Sequence, residues 1–192
     1  MTEAKAAFGG LEIVVNNAGG YDPSDWSTGS DHWHETFNQN VYSMARVIKG
    51  TLDEIKKDGH GRFVQLSSGI AAQPWPEMPD YGASKAANAN MTVSLSKALA
   101  GTGATANSVS PGPVKTPGLE EFFRGIASQQ GWPDDWDSIE KLAVEHMVPN
   151  PSGRIGRVDD IADAVAFLVS ARASYVNGAN IRVDGGYVTS VN

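Results

Sequence analysis

Tyr81 and Lys85 are the side chains whose types and spacing most directly suggest chemistry. Residues i and i+4 of a helix lie on the same face, so this spacing places a phenol near an ammonium group. A positive charge beside a phenol favours the phenolate and lowers its pKa from about 10. The pair therefore predicts a proton donor and acceptor for a carbonyl or alcohol oxygen. The alternative is a surface tyrosine above a solvated lysine, which a bare Tyr-x-x-x-Lys pattern does not exclude.

Ser68 and Asn40 are two further polar residues that could act on the same oxygen. Ser68 follows a predicted strand, thirteen residues before Tyr81, and its hydroxyl can donate a hydrogen bond to a developing oxyanion. It lacks the Gly-x-Ser-x-Gly surroundings of a hydrolase nucleophile, so we expect it to bind an oxygen rather than attack a carbonyl. Asn40 lies in the long helix predicted before that strand.

Short apolar segments alternate with longer amphipathic ones, and these elements must position the reactive residues. Compact β-branched segments bounded by turn residues predict buried parallel strands, and apolar residues at steps of three and four predict helices. The strands are predicted at residues 11–15, 62–66, 104–109 and 180–183. The helices are predicted at 2–8, 31–57, 80–100 and from Asp159-Asp160 onward, and residues 117–150 are predicted to be irregular with helical pieces.

This alternation predicts an α/β fold, a Rossmann-like doubly wound parallel sheet with helices on both faces. A length of 192 residues corresponds to one domain. Ligands of such sheets bind in the crevice at the carboxyl ends of the strands. Asn17, Ser68 and Pro111-Gly112 follow three of the strands, so we expect these clusters to form one site.

Composition and charge exclude several functional classes. A net charge of −7 argues against nucleic acid or an anionic membrane as a partner. The absence of cysteine excludes disulfides, cysteine-ligated metals and thiol nucleophiles. His32 and His34 do not share a helix face at this spacing, so a surface turn and no metal site are predicted there. No apolar run reaches the roughly 18–20 residues that span a bilayer and no secretory signal opens the chain, so we expect a cytoplasmic protein.

Five motifs, in order and at matching spacings, resemble those of the short-chain dehydrogenase/reductase family. They are Asn16-Asn17-Ala18-Gly19, Asn40, Ser68 with Tyr81-Gly82-Ala83-Ser84-Lys85, Pro111-Gly112-Pro113-Val114-Lys115-Thr116, and Val183-Asp184-Gly185-Gly186. Each motif is weak alone, but together they cover almost the whole chain. The resemblance implies a NAD(P)-dependent oxidoreductase that reduces a ketone or oxidises a secondary alcohol, with a small-molecule substrate and a dimeric or tetrameric assembly.

The resemblance also implies a role for each reactive residue. Tyr81 would be the acid or base for the substrate oxygen, and Ser68 would fix and polarise that oxygen. Lys85 would lower the pKa of Tyr81 and bind the nicotinamide ribose, and Asn40 would hold a water linking Lys85 to solvent.

Further residues would bind NAD or NADP and the substrate. Besides Tyr81 and Lys85, the cofactor would contact Asn17, Ala18, Gly19, Pro111, Gly112, Val114 and Thr116. Residues 117–150 would form the mobile substrate loop. Its aromatic side chains would either contact an apolar or aromatic substrate or pack against a neighbour, and these are Phe122, Phe123, Trp132 and Trp136.

One expected motif is not in the sequence. The family opens with a strand and a Thr-Gly-x-x-x-Gly-x-Gly turn that binds the cofactor diphosphate, whereas residues 11–15 match the family's fourth strand. Two to three βα units are therefore expected to be missing, on the order of 60–90 residues. We expect weak or no dinucleotide binding by this chain alone. We also expect self-association, because the apolar edge of Ile13-Val14-Val15 would be uncovered.

Three explanations stay open for the missing motif. The start codon could be misassigned, so that the natural chain is longer and an ordinary reductase. The chain could be a natural truncation without catalysis, or another subunit could complete the cofactor site. The alternative to an enzyme is thus a non-catalytic remnant that acts as an assembly or binding module.

Overall fold

A computed structural model describes residues 2–190 and has a four-stranded parallel sheet at its centre. The strands are β1 Ile13–Asn16, β2 Arg62–Leu66, β3 Thr105–Pro111 and β4 Asn180–Val183, in the spatial order β1-β2-β3-β4. Val14 pairs with Phe63, and Phe63 pairs with Ala106. The predicted Rossmann-like sheet is confirmed. β3 runs two residues past its predicted end, because Pro111 still pairs with Val183 of β4.

Seven α-helices surround the sheet within the described residues. They are α1 Thr2–Phe8, α2 Ser30–Phe37, α3 Ser43–Lys57, α4 Pro79–Ala98, α5 Pro117–Gln130, α6 Trp136–His146 and α7 Val158–Val169. Single 3₁₀ turns lie at Gly69–Ala71 and Ala171–Ala173. No helix in this part of the chain is long and apolar enough to cross a membrane.

The two faces of the sheet are covered by different helices. Successive side chains of a strand point to opposite faces, and β2 follows this rule. Phe63 packs with Met44 of α3 and Leu95 of α4 on one face. Val64 packs with Leu168 of α7 on the other face. The helices therefore hold the carboxyl ends of the strands, where the reactive residues lie, on a rigid core.

β1 is the edge strand of the described sheet, and its outer apolar side chains are partly exposed. Val14 packs against the core formed by α3 and α4. Ile13 and Val15 point to the opposite face and remain 46% and 43% exposed. An apolar edge strand of this kind is a template for pairing with another chain.

The helix predicted over residues 31–57 is interrupted, which corrects that prediction. A π-helical turn at Asn38–Tyr42 separates α2 from α3, and the Ser43 N–H donates to the Asn38 carbonyl five residues back. The extra residue of a π turn rotates the side chains that follow it, and such turns occur frequently at functional sites. Here the buried residue of the turn is Asn40. The apolar spacing could not reveal this, because the turn is stabilised by a contact with a distant loop.

Three local predictions also need correction. The helical pieces predicted in residues 117–150 are the two packed helices α5 and α6, so less of this segment is irregular than predicted. Their own apolar core explains this, since Phe123 of α5 and Ile139 of α6 are each 1% exposed or less. His32 and His34 lie in α2, not in a turn. Asp159 and Asp160 were predicted to cap the last helix, but both lie inside α7, whose N-cap residue is Arg157. The backbone N–H of Arg157 donates to the Asp160 carboxylate at 2.6 Å.

Candidate active site

The ends of β1 and β2 and the first turns of α4 meet at one edge of the sheet, and this edge is the candidate site. β1 and β2 are joined there by a hydrogen bond of 2.6 Å from Asn16 Nδ2 to Gln65 Oε1, both side chains being buried. Ser68 follows β2 and its Oγ accepts the backbone N–H of Ile70 at 3.3 Å. The Ser67 hydroxyl donates to the Lys85 carbonyl at 3.0 Å, which fixes α4 against the end of β2.

Tyr81 is a half-buried phenol in the first turn of α4. Burial raises the pKa of Tyr81 above its ordinary value of 10.0, and the neighbouring Tyr21 phenol raises it further. The nearby Ser68 hydroxyl acts in the opposite direction, lowering the pKa. The phenol is therefore protonated at neutral pH, which is the form that can donate a proton. The net pKa of Tyr81 is therefore above its ordinary value and not below it, as the spacing to Lys85 alone predicted, because burial has the larger effect.

Lys85 is buried beneath the tyrosine, one helical turn along α4. Its Nζ lies 5.5 Å from the centre of the Tyr81 ring and donates a hydrogen bond of 3.2 Å to the Leu66 carbonyl. Its side chain is almost out of contact with water, with 5% of the residue exposed. This desolvation lowers the pKa of Lys85 from 10.5 to about 8. The amine is thus charged at neutral pH, but its proton is held weakly enough to be exchanged.

Asn40 connects the π turn to the loop that follows β1. Its Nδ2 donates to the Gly20 carbonyl at 2.9 Å and to the Thr36 carbonyl at 3.0 Å, and its Oδ1 accepts the Gly20 N–H at 3.2 Å. The residue is fully buried. All hydrogen-bonding capacity of the amide nitrogen is therefore used in holding this loop against the helix. The loop approaches Lys85 at the same place, because a Cβ built on Gly19 would lie 2.6 Å from Asn40 Oδ1 and 3.2 Å from Lys85 Nζ.

Replacing Gly19 by alanine is expected to destabilise the protein by about 1–3 kcal/mol, because the new methyl group would push into Asn40 Oδ1. Urea unfolding monitored by circular dichroism measures the change. Gly125→Ala is the matched control, since nothing lies within 4 Å of a Cβ there. Gly125 is inside α5, so this change should stabilise by about 0.5–1 kcal/mol. Equal stability of Gly19→Ala and the parent would contradict the close approach at Gly19.

The segment after β3 lies at the same edge of the sheet. A Cβ built on Gly69, next to Ser68, would come 3.4 Å from the Pro111 carbonyl oxygen, so this segment borders the serine. Val114 pairs with Gly156, and the Thr116 side chain caps α5 by accepting the Leu119 N–H at 3.2 Å. Thr116 also lines an open surface depression, together with Lys115, Pro117, Glu120, Glu121 and Arg124.

The remaining predicted residues differ in their exposure to solvent. Asn17, Ala18 and Gly19 are exposed on the loop after β1, as a binding surface requires. Among the aromatic side chains of α5, α6 and the turn between them, Phe123, Trp132 and Trp136 pack in the local core. Phe122 is 50% exposed. Phe123, Trp132 and Trp136 therefore fit the interpretation that these aromatic residues pack against neighbours, whereas Phe122 faces outward.

Sequence reasoning missed two residues that border Tyr81. Tyr21 lies in the loop after β1, with its ring centre 5.5 Å from that of Tyr81. Asp80 is fully buried beside the tyrosine and binds side chains of α2 and of the loop. No local pattern could identify either residue, because an aspartate in the first turn of a helix is ordinary and Tyr21 belongs to no motif.

The donor groups of the site fit the nicotinamide ribose of a dinucleotide. The Lys85 ammonium has three N–H donors, and within residues 2–190 it makes one hydrogen bond. Gly19 lies beside this ammonium, since a Cβ built on Gly19 would come 3.2 Å from Lys85 Nζ. In the same described range, no three histidine, aspartate or glutamate side chains are grouped so that they could hold a metal ion.

Comparisons with known proteins agree on one family. Residues 1–188 match the family model described as enoyl-(acyl carrier protein) reductase. A short-chain type dehydrogenase/reductase of Picea abies is 39% identical over 189 residues, which are 96% of this chain and 64% of that protein. A chloroplastic NADPH-dependent aldehyde reductase-like protein of Arabidopsis thaliana is 36% identical, with the same coverage of 96% and 64%. The chain thus spans somewhat less than two thirds of the length of these two relatives.

A solved structure has the same fold. The L-sorbose reductase of Gluconobacter frateurii, complexed with NADPH and L-sorbose, superposes with a TM-score of 0.89 at 26% identity. The superposition covers 99% of this chain and 71% of that chain.

Proposed function

Because this chain belongs to the short-chain dehydrogenase/reductase family, we propose that it transfers hydride between NAD(P) and a ketone or secondary alcohol. The catalytic residues proposed are Ser68, Tyr81 and Lys85, together with Asn40, whose side chain holds the loop at Gly20 beside them. One observation carries the proposal: a protonated phenol, a serine hydroxyl and a buried ammonium lie together at the carboxyl end of the sheet. A surface tyrosine above a solvated lysine would have neither the burial nor the serine neighbour.

The residues of the chain supply the proton and orient the oxygen. The Ser68 hydroxyl donates a hydrogen bond to the substrate carbonyl oxygen, which polarises the carbon–oxygen bond. The Tyr81 phenol gives its proton to the same oxygen, so that the ketone becomes an alcohol and the tyrosine becomes a phenolate. The Lys85 ammonium stabilises that phenolate by its charge. In the reverse direction, the phenolate accepts the proton of the alcohol.

Lys85 and the exposed loop at Asn17, Ala18 and Gly19 would hold the ribose and nicotinamide of the cofactor. Pro111, Gly112, Val114 and Thr116 would border the nicotinamide on the other side. The cofactor supplies the hydride that is added to the carbonyl carbon. The buried ammonium of Lys85 would bind the ribose hydroxyls through the N–H donors that Leu66 does not use.

The relatives suggest which substrates to try. They include an aldehyde reductase-like protein and a reductase solved with L-sorbose, so ketoses and aldehydes form two arms of a test panel. Phe122, exposed on α5, and Tyr21, beside Tyr81, support an aryl ketone as a third arm. Initial rates of NADPH and NADH oxidation, followed at 340 nm with each compound, test the proposal. A folded chain that oxidises neither cofactor with any compound would favour the non-catalytic alternative.

Binding of the cofactor by these 192 residues alone is expected to be weak. The sequence contains no glycine-rich diphosphate turn, and a diphosphate normally binds at such a turn and the helix that follows it. A fluorescence titration with NADH and NADPH should therefore show binding in the millimolar range or none. Stoichiometric binding at micromolar concentration would contradict this expectation.

We further propose that the chain forms a homo-oligomer, dimeric or tetrameric. The exposed apolar positions Ile13 and Val15 on the edge strand support a contact between copies.

A further inference from the structure

Asp80 is the residue immediately before Tyr81, and its carboxylate is entirely buried. A buried carboxylate is unfavourable unless hydrogen bonds or positive charges compensate for the lost hydration. Burial would raise the pKa of Asp80, but hydrogen bonds from Ser24, Thr36 and the Tyr81 backbone N–H together lower it below its ordinary value. The carboxylate is therefore ionised at neutral pH.

The partners of Asp80 come from two elements outside α4. The Ser24 hydroxyl, in the loop after β1, donates to Oδ1. The Thr36 hydroxyl, in α2, donates to Oδ2 at 2.5 Å. His32, one turn earlier in α2, places its Nε2 3.2 Å from Oδ2. A single side chain thus ties the first turn of α4 to both α2 and the loop.

Each of these elements also touches a residue of the proposed site. The loop that holds Ser24 holds Tyr21, whose ring lies against Tyr81. Thr36 offers its carbonyl to Asn40, the buried residue of the π turn. The contacts of Asp80 therefore fix the surroundings of the phenol from two sides.

We propose that Asp80 is a positioning residue, which holds the loop at residues 20–25 and α2 against α4 and thereby keeps the Tyr81 phenol enclosed. This inference rests on the proposed function in one respect, namely that Tyr81 is the proton donor. The enclosure itself does not depend on turnover. It can be measured on the phenol directly, even in a chain that has no activity.

The experiment follows the phenol by NMR in protein labelled at the ζ carbon of tyrosine. The five tyrosines give five resonances, and Tyr81→Phe assigns one of them to Tyr81. Titration from neutral to strongly alkaline pH then gives the midpoint for that residue. In the parent, the midpoint should lie above the ordinary tyrosine value of about 10.

Asp80→Ala should shift the Tyr81 midpoint down toward about 10, because water reaches the phenol when the loop and α2 are released. Asp80→Asn should keep the parental midpoint, since its amide and carbonyl can still bond to the two hydroxyls. Thr36→Val removes one donor with little change of shape and should shift the midpoint part of the way. If Asp80→Ala does not fold, the Tyr81 midpoint is measured in Thr36→Val and Ser24→Ala instead.

Two results would overturn the proposal. One is that the pH midpoint of the Tyr81 titration keeps its parental value in Asp80→Ala, or in both Thr36→Val and Ser24→Ala, while amide hydrogen exchange in β2 and β3 stays slow. The other is an equal shift in Asp80→Asn and Asp80→Ala, which would assign the effect to the carboxylate charge alone. Neither depends on turnover, so a chain that reduces no ketone would leave this test intact.

Discussion

Tyr81→Phe is expected to lower kcat by about a hundredfold to ten-thousandfold, the usual contribution of a positioned general acid. The change removes the phenol oxygen and leaves a ring that still packs against Tyr21, 5.5 Å away between ring centres. KM should change little, because the serine that binds the substrate oxygen is kept. Initial rates of cofactor oxidation with the best compound of the panel provide the measurement.

Tyr175→Phe is the matched control, because the Tyr175 side chain is fully exposed and lies outside the site. It should retain parental kcat and parental stability. Retention of a tenth or more of the parental kcat by Tyr81→Phe would remove the phenol from the mechanism. Ser68→Ala would then be the next variant to examine, since a hydroxyl donor would have to act without the phenol.

Lys85→Met is expected to abolish turnover and at the same time stabilise the fold at pH 7. Burial lowers the pKa of Lys85 to about 8 from 10.5, so the folded state carries a desolvation penalty of about 3 kcal/mol in the charged form. Loss of the hydrogen bond to the Leu66 carbonyl offsets about 1 kcal/mol of the gain. A net stabilisation of about 1–3 kcal/mol should appear in urea unfolding curves. Lys97→Met, an exposed change on the same helix, should leave stability and activity near parental values.

The same pKa shift predicts how stability depends on pH. Below pH 8 both the folded and the unfolded protein hold the Lys85 proton, and the penalty is fully present. Between about 8 and 10.5 the folded state releases the proton first, so the unfolded state binds more protons and stability rises with pH. The parent should gain about 2 kcal/mol by about pH 9.5 relative to Lys85→Met. Parallel curves for the two proteins over this range would show that Lys85 is not buried as a charged group.

Much of the fold could be predicted from the sequence, because its signals are local. The segment Arg62–Leu66 is bounded by turn residues and is one of the four parallel strands. The Tyr81–Lys85 spacing also placed both residues on one helix, α4, as expected. Such features depend on residues within one turn or one strand of each other.

What the sequence could not provide depends on long-range contacts. The π turn at Asn38–Tyr42 is coupled to Gly20, which is twenty residues away from Asn40. The direction of the Tyr81 pKa shift depends on burial, which the spacing to Lys85 does not report. Asp80 acquires its partners only when α2 and the loop after β1 come together. The parts of the site that were missed are thus those built by tertiary packing.

Deuteride transfer tests the central claim most directly. The parent chain and Tyr81→Phe are incubated for hours with the ketone panel and millimolar NADPH or NADH carrying deuterium at the nicotinamide C4, so that weak binding does not hide the reaction. Mass spectrometry of the alcohol then locates the label. We predict deuterium on the carbinol carbon with the parent chain, and at least about a hundredfold less product with Tyr81→Phe. A folded parent chain that transfers no more label than Tyr81→Phe would contradict the assignment of Tyr81, Ser68 and Lys85 to carbonyl chemistry.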